Sequence, residues 1–294
     1  MVEITSATNS FKKATTELTL EQLNNYSNNG FLLIENVFQP KELDFISEAI
    51  NNSIDNQESS QKCLEGLVLE RDQKAIRTLN GLHLEHEFFA QLCYHPRLLL
   101  RAQQLIHDNN LYIHQFKINF KEAFTGDVWE WHQDYIYWLK GDGMPEPKAL
   151  SVAILLDDVT EFNGPLMLIP GSHKLGIINV LPQEEDESTS NQPSWISNVS
   201  AKLKYPAPKE IVAQSIKEGG LVAPKAPRGS ILFFDCNILH ASTSNLSPFS
   251  RRVILITYNP ISNVDHHFSQ PRPNFLASRD FTPIYTAPDD MLEH

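Results

Sequence analysis

The spacing of apolar residues changes near residue 110, and this change divides the chain into two parts. The first eighteen residues are polar and predict a flexible N-terminus. From residue 19 to 110 the apolar positions recur mostly at helical spacing. The first helix is predicted where Thr19 and Gln22 have capping-box spacing, and Gly30 supplies its stop. This part of the chain is therefore predicted to be helical or mixed.

Three further elements are predicted before residue 110. FLLIENVF, residues 31–38, has the composition of a strand, and Pro40 is well suited to begin a helix. The polar stretch 51–61 predicts a loop. The pattern over 67–105 is mixed and mostly helical, and its predicted core residues are Phe88, Phe89, Leu92 and Leu98 to Leu100.

From Leu111 onward the chain consists of short apolar runs separated by Gly, Pro, Asn and Asp. The runs are LYIHQFKINF, VWEWHQDYIYW, ALSVAILLDDV, PLMLIPGSH, GSILFFDC and RRVILITYN. Many short strands with regular turn signals indicate a sandwich or a barrel. We predict a mainly β protein with flanking helices, in which residues 111–262 form a double-stranded β-helix, the jelly roll of cupin-like proteins.

The length of 294 residues favours one large domain, which we place at 19–294, with a C-terminal segment at 263–294. Residues 181–208 interrupt the rhythm of the strands with acidic, Ser and Pro residues. A segment of that length is either a functional lid or a disordered insertion, and we favour the lid.

Composition excludes several partners. A formal net charge of −12 and a pI near 5.3 argue against nucleic acid and anionic membranes. The polar N-terminus lacks the apolar core of a signal peptide, and no apolar run has membrane-spanning length. We expect a cytoplasmic monomer or homodimer that acts on a small molecule. Three widely spaced cysteines without a CxxC pair are expected to be reduced and buried: Cys63, Cys93 and Cys236.

The run WEWHQDYIYW contains candidate metal ligands. If it is an extended strand, His132 and Asp134 project from the same face. The best candidate for a third ligand is His240, which follows the apolar run ILFFDCNIL. Two imidazoles and one carboxylate form the facial triad of non-haem Fe(II) oxygenases, which leaves positions open for a cosubstrate and O2.

Eleven residues after His240, Arg251 opens the next predicted strand. Activation of O2 at Fe(II) needs two further electrons, and 2-oxoglutarate supplies them by oxidative decarboxylation. Its distal carboxylate requires a buried bidentate cation, which is the role that arginine performs best. We choose Arg251 over Arg252 because the strand period should turn only one of them inward. The alternative for Arg251 is an exposed charge at a strand end.

Several segments together resemble the phytanoyl-CoA dioxygenase superfamily of Fe(II)/2-oxoglutarate oxygenases. They are YIHQFKINFKEAF, WHQDYIYW, DGMPEPKALSV, EFNGPLMLIPGSHK, ILHASTSNLSPFSRR and ITYNP. Within that superfamily the chain is similar to the branch of ectoine hydroxylases and free-amino-acid hydroxylases, above all the leucine 5-hydroxylase type. The resemblance runs from about residue 65 to the C-terminus, which makes it far more specific than a single HxD.

The resemblance implies roles for individual residues. Iron would be held by His132, Asp134 and His240, and the distal carboxylate of 2-oxoglutarate by Arg251. Further cosubstrate-site residues would be Lys117, Trp138, Ser151 and Gln115. Arg272, in the setting PRP, would bind the α-carboxylate of an amino acid, and Arg77 is a weaker candidate for substrate binding. The alternatives are an exposed strand charge for Lys117, core packing for Trp138 and an exposed loop position for Arg272.

We therefore expect hydroxylation of an unactivated C–H bond in a small free amino acid, preferably leucine-like and aliphatic, with succinate and CO2 as coproducts. The carboxylate at Asp134 favours hydroxylation over halogenation, because related halogenases have a small residue there. Ectoine, another small zwitterion or an acyl-thioester are alternative substrates. A non-oxidative cupin with Zn(II) or Mn(II) in the same triad is an alternative of another class.

Overall fold

The computed structural model describes the backbone of residues 16–60, 65–183 and 193–292. The strands in chain order are β1 (Phe31–Ile34), β2 (Leu67–Leu69), β3 (Ile76–Asn80), β4 (Leu111–Lys121), β5 (Trp129–His132), β6 (Leu150–Leu155), β7 (Leu166–Leu168), β8 (Ile231–Asp235), β9 (His240–Ser242) and β10 (Arg251–Pro260). Seven of them form one sheet in the order β1-β8-β6-β10-β4-β3-β2, and three form a second sheet in the order β5-β9-β7. Neighbouring strands are antiparallel, and the prediction of a jelly roll is confirmed.

The helices lie mostly before β4 and between the later strands. They are α1 (Leu20–Asn29), α2 (Pro40–Ser60), α3 (Leu82–Glu85), α4 (Glu87–Cys93), α5 (Pro96–Ile106), α6 (Tyr135–Asp142) and α7 (Lys209–Gly219). The capping box of Thr19 and Gln22 is present, and Gly30 ends α1 in the left-handed conformation, as predicted. None of the described helices is long and apolar enough to cross a membrane.

The central strands of the larger sheet are buried on both faces. On β6, Val152 and Ile154 belong to the core shared with helices α2, α4 and α5. Ala153 and Leu155 point the other way, into the interior between the two sheets, where Leu168 of β7 joins them. This two-sided burial explains why the strand reads as a continuous apolar run. The inner face of the larger sheet forms one wall of the interior.

The predicted bounds of two elements, the loop at 51–61 and the strand at 31–38, were wrong. Helix α2 continues through residues 51–60 of the predicted loop, because the partly buried Ile54 extends its apolar face and the buried Ser53 donates to the carbonyl oxygen of Ala49. Strand β1 ends at Ile34, because Asn36 adopts a positive φ of 56° and turns the chain out of the sheet.

The mostly helical interpretation of 67–105 missed β2 and β3, which extend the larger sheet beyond β4. Residues 1–15, which make up most of the predicted flexible N-terminus, and residues 184–192 of the predicted lid lie outside the described residues. Cys93 and Cys236 are buried free thiols, as expected, whereas Cys63 lies outside the described residues.

Candidate active site

Three potential metal ligands converge between the two sheets. His132 of β5 and His240 of β9 are direct partners across the antiparallel pair, so both side chains project from the same face. The Nε2 atoms of these histidines lie 3.7 Å and 3.8 Å from Oδ1 of Asp134. One ligand atom from each of the three residues lies within 4.8 Å of the others, and all three residues are buried.

The local conformation that brings Asp134 to this point differs from the predicted one. Strand β5 ends at His132, and Asp134 has right-handed helical angles at the N-cap of α6. Gln133 stabilises the turn: its Nε2 donates to the carbonyl oxygens of Gly176 and Asn237, and its Oε1 accepts from the amide of Ile178. The aromatic and β-branched residues after Asp134 favoured a strand by composition, but Tyr135, Ile136, Tyr137 and Trp138 are buried in a helix instead.

Hydrogen bonds orient both imidazoles towards a common point. Nδ1 of His132 lies 2.6 Å from the carbonyl oxygen of Glu130, and Nδ1 of His240 lies 3.0 Å from that of Ile238. A carbonyl can only accept, so Nδ1 carries the hydrogen and the lone pair of Nε2 is directed at the site. This arrangement is the usual one for metal-binding histidines.

Electrostatics keep this donor set in the protonation states that a metal requires. Burial and the neighbouring His240 lower the pKa of His132 to about 3, and burial also lowers the pKa of His240. Burial alone would raise the pKa of Asp134, but the charge of Lys117 and the two imidazoles outweigh it and lower the pKa. Two neutral nitrogens and one carboxylate on one side of an ion fit Fe(II) and leave its other positions open.

Arg251 lies at the start of β10 and points into the interior. Its Nη2 donates to the carbonyl oxygen of Gly164 at 2.5 Å, and its buried Nε has no hydrogen-bond partner. No carboxylate within the described ranges forms an ion pair with it, whereas the outward-facing Arg252 binds Asp157 through Nε and Nη2. Burial lowers the pKa of Arg251 to about 10. A buried, unpaired guanidinium is costly, which suits a group that is completed by an anionic ligand.

A cavity of about 60 Å³ connects Arg251 with the three metal ligands. Its polar lining consists of His132, Asp134, His240, Arg251, Lys117, Asn119 and Ser242. Its apolar walls are formed by residues of the larger sheet, among them Ala153, Leu155 and Phe234. The cavity therefore offers a cation at one end, a metal site at the other and apolar walls between them, as 2-oxoglutarate requires.

Sequence reasoning missed two polar residues of this cavity. Asn119 follows Lys117 by two residues on β4, and Ser242 follows His240 by two on β9. The strand period could have identified both, because residues two apart share a face. The Oδ1 atom of Asn119 is buried without a hydrogen-bond partner, so it can accept a hydrogen bond from a ligand or from water.

Three of the predicted cosubstrate-site residues do not line the cavity. Ser151 bonds to Thr257, with 3.0 Å between their hydroxyl oxygens, and Nε2 of Gln115 donates to the carbonyl oxygen of Leu276. Trp138 is buried on α6, with its ring edge-on to His114. Lys117 does line the cavity, and burial lowers the pKa of its amine.

The two predicted substrate-binding arginines have different surroundings. Nε and Nη2 of Arg272 donate to the two carboxylate oxygens of Asp142, at 2.9 Å and 2.5 Å. After burial and nearer charges, the charge of Arg272 also contributes to lowering the pKa of Asp134 and of Lys117.

Arg77 is held entirely by protein groups. It binds Glu70 and the carbonyl oxygens of Val128 and Val199, and it stacks on Trp129. These contacts give Arg77 a structural role, and its contact with substrate stays a prediction.

A jelly roll with this donor set, and with an unpaired arginine at the far end of the same cavity, has the architecture of the Fe(II)/2-oxoglutarate-dependent dioxygenases. The family model for phytanoyl-CoA dioxygenase matches residues 26–253, and the chain belongs to this family. The enzyme is accordingly an Fe(II)/2-oxoglutarate-dependent dioxygenase that uses O2.

The chain is similar to several characterised relatives. It is 41% identical over 226 residues to L-proline trans-4-hydroxylase from Streptomyces griseoviridis, which covers 77% of this chain and 82% of the relative. It is 33% identical over 258 residues to ectoine dioxygenase from Sphingopyxis alaskensis, which covers 86% and 81%. The crystal structure of EctD from S. alaskensis with 2-oxoglutarate and 5-hydroxyectoine has a TM-score of 0.75 and 29% identity, and covers 95% of this chain and 91% of that one.

Proposed function

We propose that the enzyme hydroxylates an unactivated C–H bond of a small free amino acid, with a leucine-like aliphatic substrate favoured. The observation that carries this proposal is the placement of Arg272. Asp142 occupies its Nε–Nη2 edge, and the Nη1 side has no carboxylate partner among the described residues. A substrate carboxylate can bind there by charge-assisted hydrogen bonds.

Aromatic side chains extend from the metal ligand His132. The ring of Tyr137 is edge-on to His132 with 6.1 Å between centroids, and Tyr205 packs on Tyr137 at 5.2 Å. The charge of Arg272 acts on both tyrosines, and Trp195 packs against Phe275 nearby in the same apolar cluster. Such walls suit an aliphatic side chain better than a second charged group.

Each group of residues has a defined task in this reaction. Bound iron supplies the oxidising chemistry, in which 2-oxoglutarate and O2 give succinate and CO2 while one oxygen atom enters the substrate C–H bond. His132, Asp134 and His240 hold the metal. Arg251 binds the distal carboxylate of 2-oxoglutarate, with Lys117, Asn119 and Ser242 around the remainder. The apolar walls of the cavity exclude water.

Ectoine is the second candidate substrate. It is a small zwitterion with one carboxylate, and the similarity to ectoine dioxygenase and to the EctD structure favours it specifically. Proline is a further compound to test, because the relative with 41% identity is an L-proline trans-4-hydroxylase. Leucine, proline and ectoine each have a carboxylate that can bind to Arg272.

A substrate panel separates these candidates. The holoenzyme with Fe(II) and 2-oxoglutarate is supplied with L-leucine, L-proline, ectoine or an acyl-thioester, and both succinate and the oxygenated product are quantified. We expect stimulated succinate formation and an added oxygen atom with an aliphatic amino acid. Turnover of ectoine or the thioester without any amino acid product would contradict the proposal.

Arg272→Met tests the anchor itself. The loss of a charge-assisted contact worth about 1.5–3 kcal/mol should raise the KM for the amino acid by roughly 10- to 100-fold, whereas the KM for 2-oxoglutarate stays near wild type. Arg228→Met is the matched control, because this arginine is partly exposed and pairs with Asp44 on the surface. An unchanged amino acid KM in Arg272→Met would exclude the proposed anchor.

A further inference from the structure

Helix α6 connects the metal site to the carboxylate anchor. Its N-cap is the metal ligand Asp134, and its last two residues are Gly141 and Asp142. Gly141 lies seven residues after Asp134, which is almost two full turns, so both positions share one face of the helix. At 1.5 Å per residue their backbones are separated by about 10 Å along the axis.

Arg272 packs directly on this face at Gly141. A Cβ atom at residue 141 would lie 3.0 Å from Cδ and 3.1 Å from Nε of Arg272. The amide of Arg272 also donates to the carbonyl oxygen of Gly141 at 3.0 Å. The absence of a side chain at Gly141 therefore permits the close approach of Arg272 to the helix.

Asp142 fixes the direction of the guanidinium and is itself held from β4. Its carboxylate lies 3.2 Å from Nε2 of His114, whose Nδ1 lies 3.1 Å from the hydroxyl of Tyr112. The side chains of Asp142, His114 and Arg272 are each less than one-tenth exposed. Burial would raise the pKa of Asp142, but Arg272 and His114 lower it to about 2, so the carboxylate is charged.

We propose that Gly141 and Asp142 are positioning residues for the substrate carboxylate, and that α6 sets which carbon of the substrate reaches the metal. Gly141 determines how closely Arg272 approaches the helix, and Asp142 determines which edge of the guanidinium remains free. Because the anchor lies almost two helical turns from Asp134, the carbon presented to the metal is one remote from the carboxylate. This inference rests on the proposed function, in which Arg272 binds that carboxylate.

Gly141→Ala is the sharpest test, because alanine favours the helix by roughly 0.5–1 kcal/mol while its Cβ displaces Arg272. The reference substrate is whichever of L-leucine, L-proline and ectoine the wild-type holoenzyme turns over fastest. We expect its KM to rise roughly tenfold or more, and the ratio of hydroxylated positions to change, as expected for a misplaced reacting atom. The KM for 2-oxoglutarate should stay constant, and the melting temperature should not fall.

Lys140→Ala, at the exposed neighbouring position of the same helix, is the matched control and should match wild type in all four measurements. If Gly141→Ala has the wild-type KM and product ratio, the inference is overturned. If the KM for 2-oxoglutarate rises as much as that for the substrate, the effect is general and the inference is again overturned.

A double-mutant cycle tests Asp142. The amide of Asp142→Asn would place an N–H group against a guanidinium N–H, so at least one of the two bonds to Arg272 is lost. We expect a roughly tenfold rise in substrate KM in Asp142→Asn, the scale seen for partners that orient a ligand. In the Arg272→Met background the same change should have little further effect, because Asp142 acts through Arg272.

The positioning role would be overturned if Asp142→Asn and Arg272→Met raised the substrate KM additively. It would also be overturned if Asp142→Asn lowered the substrate KM, because Asp142 would then compete with the substrate carboxylate for Arg272. The two proposals fail in different ways. When wild-type enzyme oxidises neither L-leucine nor L-proline, the proposed function fails, and when it does not oxidise ectoine either, the inference fails with it. When the wild type is active but the variants at 141 and 142 behave like it, only the inference fails.

Discussion

The cosubstrate end and the proposed substrate end of the active site are built in different ways. The cosubstrate end, formed by Arg251, Asn119 and Ser242, comes from the regular strands β10, β4 and β9. The proposed substrate end, with Arg272, Tyr137 and Tyr205, comes from α6, the segment at 193–208 and the C-terminal segment. The two ends meet at the metal ligands.

The difference teaches which part of the site is fixed by the fold. The register of β4 against β10 is continuous from Lys121 to Gln115, so residues two apart stay on one face, and Lys117 and Asn119 both line the cavity. At the substrate end, the chain is positioned by individual hydrogen bonds to side chains and not by a strand ladder. The amide of Leu203 donates to Glu130, and that of Tyr205 donates to the hydroxyl of Tyr137. Such segments can change without disturbing the sheet, so substrate choice can diverge while the cosubstrate site persists.

The largest effect is expected where the two ends meet. Asp134→Ala removes the only carboxylate of the donor set and should lower turnover by roughly 10³-fold or more, with a parallel loss of Fe(II) binding in titrations. Asp44→Ala, at an exposed surface position, is the control. Retention of Fe(II) binding and turnover in Asp134→Ala would show that the metal lies elsewhere.

At the cosubstrate end, Arg251→Met should separate stability from function. Loss of two charge-assisted hydrogen bonds to a carboxylate, at about 1.5 kcal/mol each, predicts a KM for 2-oxoglutarate raised roughly 100-fold. The melting temperature of the ligand-free protein should not fall, because the variant removes a buried charge without an ion-pair partner. Arg252→Met breaks the outer pair with Asp157 and should leave this KM unchanged. An equal rise in both variants would contradict the assignment of Arg251.

A smaller effect is expected from Gly164→Ala. Gly164 has a φ of +70°, its carbonyl oxygen accepts from Arg251, and an added Cβ would lie 2.7 Å from the carbonyl oxygen of Thr243. The resulting shift of the Gly164 peptide should raise the KM for 2-oxoglutarate several-fold, up to about tenfold, through Arg251.

Gly220→Ala provides the matched control for that variant. Gly220, at the end of α7, has a similar φ of +79°, but nothing lies within 4 Å of its added Cβ. Both variants should lose roughly 1–2 kcal/mol of stability from the positive φ, and only Gly164→Ala should change the KM. A wild-type KM in Gly164→Ala would mean that Arg251 does not depend on this peptide.

The same contrast explains what could be predicted from the sequence. The period-2 alternation of a strand was sufficient to predict that Arg251 points inward and Arg252 outward. The same rule, applied to β4 and β9, would have identified Asn119 and Ser242. Alternation failed at Asp134, where buried aromatic residues with strand-like composition form a helix because tertiary packing outweighs local preference.

The contacts of Arg272 could not be predicted in this way. Its partners Gly141 and Asp142 lie about 130 positions earlier in the chain, and no local pattern connects a PRP loop with the end of a helix. The contacts of Arg77 could not be predicted for a related reason, because they are made with the backbone carbonyl groups of Val128 and Val199, which are distant in the sequence.

The pairing of His132 with His240 has a consequence for folding as well as for catalysis. The two histidines belong to strands of four and three residues, in the smaller of the two sheets. An ion shared between them would cross-link distant points of the chain and, like other long-range staples, would reduce the entropy gained on unfolding. The metal site would thus also stabilise the smaller sheet, so removal of the metal would lower the stability of the fold and abolish the reaction together.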